Sequence, residues 1–458
     1  MSESSAAAPT SRRTLSNGLL IAYALPRTGS AMIFIMVAVY LSKFYTDTLL
    51  LAPAFVAWTF LIGRLWDGFT DPIMGYVSDA TRSRMGRRRP YFLVSAIPVA
   101  IAYFYLWTPP EGLKDWGLFL HLTVAYLATY TFWTVFSIPH NSLGAELTMD
   151  YHERTLLTGV REALGMAGAL IGTLVPPLFA ALFGSETKGF SYLAATTGCL
   201  TALFIFICFF SVKENPEFQQ RTRIAIGEGL KALYRNRPFR ALVIAFVVAL
   251  IGNAFIPILI LYIEDYVVRM EGVAPYVIFT YILTAALSIP LWTRLSRRIG
   301  KKETWSRALL LASVVFALGT YIHEGTWLAW LLMAVFAGFA YGCTMAMAPS
   351  MMADVIDNDE LLTGKRREGA YFGIWSLIDK SALGLAVFVG MYALDLAGYV
   401  PNVDQTTRVI WTIKSLYFIL PAICFAAACY LLRNYPITQK EQQRIRAEIE
   451  AKKSTGTA

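Results

Sequence analysis

The sequence predicts an all-α membrane protein of twelve transmembrane helices arranged as two related six-helix halves. Three observations carry that expectation. Apolar residues make up 56% of the chain and gather into long charge-free runs, more than a soluble core of this size needs. Arginine and lysine crowd alternate connections between those runs. Two short charged motifs also recur in the same order about half a chain apart.

The runs cover 19–45, 53–79, 90–108, 116–146, 157–183, 191–212, 239–266, 274–294, 304–322, 326–353, 368–397 and 408–433. Each is long enough to cross a hydrocarbon core of about 30 Å as a helix. A membrane β-barrel would show short alternating segments instead. Arg82, Arg84, Arg87, Arg88 and Arg89 follow the second run, and Lys213 to Arg240 fill the connection after the sixth. Arg294, Arg297, Arg298, Lys301 and Lys302 mark the eighth connection, and Lys365, Arg366 and Arg367 the tenth. The opposite connections hold isolated cases such as Lys114, Lys188 and Arg269. The positive-inside rule makes the rich side cytoplasmic and places both termini there. Topology thus accounts for the net charge of +9 without a nucleic-acid partner. Few outer-loop features and no Asn-x-Ser/Thr sequon suit a bacterial inner membrane.

Leu156-Leu-Thr-Gly-Val-Arg-Glu162 opens the fifth run and Leu361-Leu-Thr-Gly-Lys-Arg-Arg-Glu368 the eleventh. Arg82-Ser-Arg-Met-Gly86-Arg-Arg pairs likewise with Ser296-Arg-Arg-Ile-Gly300-Lys-Lys. The implied division is a cytoplasmic tail 1–18, a bundle 19–212, a linker 213–238, a second bundle 239–433 and a tail 434–458. Two parallel halves of this kind describe the major facilitator architecture, in which cargo sits between the halves and access alternates by rocking. The chain is expected to act as a monomer in contact with membrane lipids. Gln439 to Lys453 reads as a solvated charged tail. Five cysteines lie within the runs as free buried thiols, and the four histidines are too scattered for a metal site.

The second run holds Arg64-Leu-Trp-Asp-Gly-Phe-Thr-Asp71. A charge at the bilayer centre costs roughly 2.5–3.5 kcal/mol, so three of them call for a function. Asp67 and Asp71 stand one helical turn apart on one face, with Arg64 a turn earlier and Thr70 beside them. Two carboxylates about 6 Å apart repel by about 3 kcal/mol at an effective dielectric of 20, and a sodium ion or a proton relieves that repulsion. Carrying the repeat across sets Asp67 against Tyr281 and Asp71 against Ala285, so the ion site is lopsided. Two readings compete locally: Arg64 neutralising Asp67, and Asp379 pairing with Lys380. Should Lys380 face the two aspartates, a cation would compete with a salt bridge between the halves.

Gly75-Tyr-Val-Ser-Asp79 with Arg82, Gly86 and Arg87 reads as a cytoplasmic gate, where a small residue permits close helix approach and the charges form a breakable network. Pro26 disrupts the first helix beside Arg27, a charge available to an anionic or polar cargo group. His140 and Asn141, which follow Pro139, line the expected cargo cavity, with helix packing the competing reading.

Arg64-x-Trp-Asp-x-x-Thr-Asp-Pro-x-x-Gly, Arg82-x-Arg84-x-Gly86-Arg-x-Arg-Pro90, Ser137-Ile-Pro-His-Asn-Ser-Leu, Met352-Ala-Asp354 and Gly398-Tyr-x-Pro-Asn402 together resemble the glycoside–pentoside–hexuronide:cation symporter family, typified by the melibiose carrier. The likeness runs over most of the chain. It implies a sodium or proton site at Asp67, Asp71 and Thr134, with Thr70 where the family has asparagine. It further implies roles for Lys380 and Arg161 in the charge network. The sugar site departs from the pattern: Ser137 and Asn141 replace the galactoside-holding aspartate and tryptophan, Ala31 stands near the missing aspartate of the first helix, and Trp133 stands where the family has an aromatic, which implies stacking on a sugar ring with helix packing as the competing reading.

The resulting expectation is cation-coupled symport of a sugar, glycoside or sugar acid. A lysophospholipid or other amphipath is the alternative cargo, because the sodium-dependent lysophospholipid carrier of animals shows the same second-helix pattern. An intramembrane hydrolase built on the two aspartates would need a Gly-x-Gly-Asp signature, and a non-transporting sensor has no supporting motif. The chain is therefore not expected to be an enzyme.

Overall fold

The computed structural model describes residues 15–144, 146–148, 151–214, 236–363 and 368–454, and its described secondary structure is helical throughout. The helices are α1 (Asn17–Leu41), α2 (Pro53–Ala80), α3 (Arg89–Trp107), α4 (Asp115–Gly144), α5 (Tyr151–Phe183) and α6 (Glu186–Ser211). They continue as α7 (Arg237–Val268), α8 (Ala274–Ile299), α9 (Lys301–Gly319), α10 (Trp327–Thr363), α11 (Glu368–Ala397), α12 (Thr407–Leu432) and α13 (Gln439–Ser454). Ten of these are long and apolar enough to cross a membrane. From the twelve expected spans, α2 and α9 fall short on composition. Arg64, Asp67 and Asp71 interrupt α2, while α9 opens on Lys301-Lys302-Glu303.

Several helices outrun their expected bounds, most clearly α10, which continues to Thr363 through Asp354, Asp357 and Asp359. A helix leaving the bilayer keeps its internal hydrogen bonds, and here Asp354 and Asp359 stay buried against the bundle, Asp354 paired with Lys301. Most of the expected linker, 215–235, and the first fourteen residues of the N-terminal tail lie outside the described residues. The C-terminal tail departs from expectation by forming α13. Ile445 is buried and Ile449 partly so, one turn apart, which docks the helix on the bundle by one apolar face. The thiols are free, but Cys199 is exposed rather than buried, at no cost where the bundle's outer surface faces lipid.

Within the first six helices α1 packs on α5 and α6, α3 on α4 and α6, and α2 on α4; α7 packs on α12, α8 on α10, and α9 on α10 and α12. The two groups meet where α2 crosses α11, where α5 crosses α8, and where the last turns of α1 reach α7. Buried Val37, Tyr40, Leu41 and Phe44 of that region share one apolar cluster with Ile258 to Ile263. At the opposite end of α1, Leu20 and Tyr23 belong to a separate cluster with Phe92 and Phe136. Leu65, Phe69, Ile73 and Tyr76 form an exposed apolar stripe on α2, suited to lipid. The opposite stripe, Gly63, Asp67, Met74 and Ser78, is buried and turns the charges inward.

Candidate functional site

Helical spacing brings Arg64 and Asp67 together on the inner face of α2, and the guanidinium Nη1 donates to Asp67 Oδ2 at 3.0 Å. Both side chains are buried, at 7% and 5% exposure, and the guanidinium also lies 5.3 Å over the Tyr130 ring. This is the local neutralisation that competed with ion binding at the sequence level. It is incomplete, because Asp67 Oδ1 is buried without a hydrogen-bond partner. The stem of Arg64 crosses α11 at Gly384, where a Cβ would fall 1.9 Å from Arg64 Cγ, so only glycine admits this crossing.

Asp71, one turn along, is reached from two other helices. Thr134 of α4 donates to its Oδ1 at 2.9 Å, and Lys380 of α11 forms an ion pair with its Oδ2. The Lys380 contact ties the two groups of helices together. Lys380 therefore does not pair with Asp379, as the local reading had it; Asp379 is exposed to the cleft and close enough to feel the charges of Arg64, Arg27 and Lys380. Thr70 is a correction. Its hydroxyl donates 3.1 Å back to the Trp66 carbonyl, the common satisfaction of a threonine inside a helix, and makes no hydrogen bond to either aspartate among the described residues.

Arg161 joins a different cluster, donating to Asn141 Oδ1 at 2.7 Å and to Glu162 Oε1 at 2.8 Å. Arg27 reaches the same Glu162 at 3.5 Å. Asn141 is exposed, Ser137 half-buried, and Trp133 half-buried edge-on to Phe34 at 5.8 Å. His140 does not line a cavity. It is 4% exposed, stacks on Tyr23 at 4.4 Å, and holds the Tyr23 carbonyl at 2.9 Å, a packing role set by the surrounding aromatic rings.

At the expected gate, Arg82 is exposed and, among the described residues, donates only to the carbonyls of Asp79 and Thr81. Arg88 takes the expected place, pairing with Asp79 at 3.1 Å and Glu146 at 2.8 Å, and Arg87 shares Glu146 at 2.8 Å. A Cβ at Gly75 would meet Ile138 Cγ2 at 4.0 Å, an ordinary contact, so the helix approach there does not require glycine; Gly86 turns the loop with φ +108°. The Glu214 carboxylate caps the loop, accepting from the backbone N–H groups of Arg87, Arg88 and Arg89 at 2.7–2.8 Å. Sequence reasoning missed Glu146 and Glu214. An acid ending the fourth run and another just past the sixth were the available signal.

A second unforeseen network closes the other end. The Asp47 carboxylate accepts from the hydroxyls of Tyr399 at 2.6 Å and Tyr266 at 3.0 Å, Asn402 donates to the Asp47 carbonyl at 2.9 Å, and Lys43 pairs with Asp265. Tyr399 and Asn402 belong to the Gly398-Tyr-x-Pro-Asn402 motif, to which the sequence assigned no role.

A fold of this kind recurs in solved structures. The nucleoside transporter NupG aligns with 92% of this chain and all of its own at a TM-score of 0.64 and 15% identity. The chain is 28% identical to an isoprimeverose transporter of Lactiplantibacillus pentosus, covering 94% of this chain and 90% of that one. It is 27% identical to the glucuronide carrier protein homolog of Escherichia coli over 95% of both chains. A sodium-dependent lysophosphatidylcholine symporter of Danio rerio is 25% identical, covering 91% of this chain and 84% of that one. The model of the MFS/sugar transport protein family matches residues 22–439. The chain belongs to the MFS/sugar transport protein family and is a multi-span membrane transporter, not an enzyme.

Proposed function

We propose that the protein is a secondary transporter that couples entry of a sodium ion or proton to symport of a sugar, glycoside or sugar acid by alternating access between its two six-helix halves, 19–212 and 239–433. The observation that carries this reading is Asp71, held by Thr134 within its own half and by Lys380 from the other. A cation at Asp67 and Asp71 competes with Lys380 and so links ion occupancy to the contact between halves. The buried Asp67 Oδ1 is an acceptor that a hard cation or a proton satisfies. Thr134 supplies a neutral oxygen. Arg64 holds the second Asp67 oxygen and keeps the pair from repelling when the ion leaves.

Arg27, Arg161 and Asn141 offer polar donors to cargo at the end of the cleft near the α1 start. The relatives that carry isoprimeverose and glucuronides support sugar chemistry. The lysophosphatidylcholine symporter supports an amphipathic cargo as the second reading. The basic connections support a bacterial inner-membrane protein acting as a monomer with both termini on the cytoplasmic side.

One cation entering down 100 mV supplies about 2.3 kcal/mol, enough to concentrate a neutral solute tens of fold. Proteoliposomes under imposed sodium or proton gradients, offered neutral glycosides, a glucuronide and lysophosphatidylcholine, test the reading. Wild type accumulates one sugar class, and Asp71→Asn lowers gradient-driven accumulation at least tenfold while retaining correct insertion. Normal accumulation by Asp71→Asn in both gradients would sink the assignment. Accumulation of lysophosphatidylcholine alone would decide for the second reading.

A further inference from the structure

The second half contains a cavity of about 150 Å³ between α7, α10 and α11, lined by Phe246, Asn253, Tyr341, Thr344, Trp375 and Asp379 among others. A cavity of about this size holds one six-membered ring. Its walls are aromatic and ordered: Trp375 stacks on Phe246 at 3.6 Å and 21°, and Tyr341 stacks on Tyr281 at 5.4 Å and 24°. Asn253 and Asp379 both offer polar groups to a ligand. Asn253 uses Oδ1 to accept from the Tyr281 hydroxyl at 2.8 Å, which orients the amide, and its Nδ2 makes no hydrogen bond among the described residues. Asp379 lies one turn beyond Trp375 on the same face of α11 and makes no ion pair or hydrogen bond among the described residues, since Lys380 is committed to Asp71.

We propose that this cavity is a binding subsite for the hydroxyl-bearing ring of a neutral sugar, with the Asp379 carboxylate accepting from two neighbouring hydroxyls, the Asn253 amide donating to a ring substituent, and Trp375 and Tyr341 walling the ring. A carboxylate has the acceptor capacity for a vicinal diol, and such charge-assisted hydrogen bonds are the strong ones. Aromatic faces carry negative quadrupole charge that attracts the polarised C–H face of a sugar ring. The same carboxylate repels a ring bearing its own acid group, so an acidic sugar cannot place its uronate ring here. Asp379 adjoins Lys380, which places the subsite directly beside the residue that links Asp71 to the second half.

This inference rests on the cation-coupled sugar reading, and the experiment separates the two. Purified full-length protein is titrated by calorimetry with methyl β-D-glucopyranoside, methyl β-D-xylopyranoside and methyl β-D-glucuronide, in sodium chloride and in choline chloride at two pH values. Thermal stabilisation by sodium, or by acidic pH, is measured on the same samples without sugar. Wild type binds a neutral glycoside more tightly than the glucuronide. Asp379→Asn weakens that binding about tenfold or more, as expected for a hydrogen bond to a charged group. Asn253→Ala weakens it several-fold, Asp379→Glu restores part of the loss, and ion stabilisation stays at the wild-type level in all three. Neutral-glycoside affinity unchanged in Asp379→Asn overturns the subsite and leaves the coupling reading standing. Loss of ion stabilisation together with sugar binding in Asp379→Asn and Asn253→Ala overturns it too, by showing a general defect. Failure of wild type to bind any of the three sugars sinks the sugar reading and the subsite with it.

Discussion

In the first half, Gly86 turns the loop after α2 with φ +108°, and the next two residues, Arg87 and Arg88, are gripped by Glu146 just past α4. In the second half, Gly300 turns the loop after α8 with φ +88°, and the next residue, Lys301, is gripped by Asp354 near the end of α10 at 2.6 Å. The chain after each half's sixth helix pins the same loop, but with opposite polarity. Glu214 accepts from backbone N–H groups in one half, whereas the carbonyls of Arg433 and Tyr435 accept from Lys302 in the other. Midway along the membrane the likeness ends. Where α2 has Asp67 and Asp71, α8 has Tyr281, bonded to Asn253, and buried Ala285. The repeat preserves the anchors that hold each bundle together, while the middle of the molecule has diverged into an acidic side and an aromatic side.

Three pairs of substitutions sharpen that contrast, and thermal or denaturant unfolding in detergent reads each. Asp67→Asn leaves the Arg64 guanidinium buried at 7% exposure without its ion-pair partner, so a loss of about 3–5 kcal/mol is expected. Tyr281→Phe at the matching place removes one neutral hydrogen bond, worth about 1 kcal/mol. Equal losses would mean the halves are not chemically distinct at mid-depth. Adding Arg64→Gln to Asp67→Asn should recover much of the first loss.

Smaller differences are expected at the loops. Glu146→Gln strips the acid from two guanidiniums whose side chains are only 10% and 7% exposed, a cost of about 3 kcal/mol. Asp354→Asn affects an ammonium that is 30% exposed and can hydrate, so about 1–2 kcal/mol is expected. Reversal of that order would break the idea that burial sets the strength of the two anchors. Finally, Gly86→Ala and Gly300→Ala share a backbone strain of about 1–3 kcal/mol. The first also drives a Cβ to 2.5 Å from the Glu214 carboxylate, while the second meets nothing nearer than 3.9 Å. Gly86→Ala should therefore be the worse by a margin that Glu214→Ala removes.

The helical membrane architecture, the half-chain repeat and the paired acids of α2 were all legible from composition and spacing. Lipid leaves backbone groups no partner except their own helix, so apolar run length alone announces a span, and an acid inside one is conspicuous because it is costly. The inward orientation of Asp67 follows from helical period for the same reason: the opposite face, Leu65, Phe69 and Ile73, must meet lipid.

Which partner each polar group takes was decided only in three dimensions. Thr70 and Thr134 look equally suited to the acids in sequence, but one bonds its own helix and the other reaches Asp71. Arg82 and Arg87 are the expected gate arginines beside Asp79, and Arg88 is the one whose guanidinium pairs with it. His140 is drawn into an aromatic stack, and Asp379 turns to a cavity while its neighbour Lys380 crosses to the other half. Run length and burial cost are properties of a segment by itself, so the chain alone determines them. A hydrogen bond or ion pair depends on the rotation and depth of two helices far apart in sequence, and only their packing sets those.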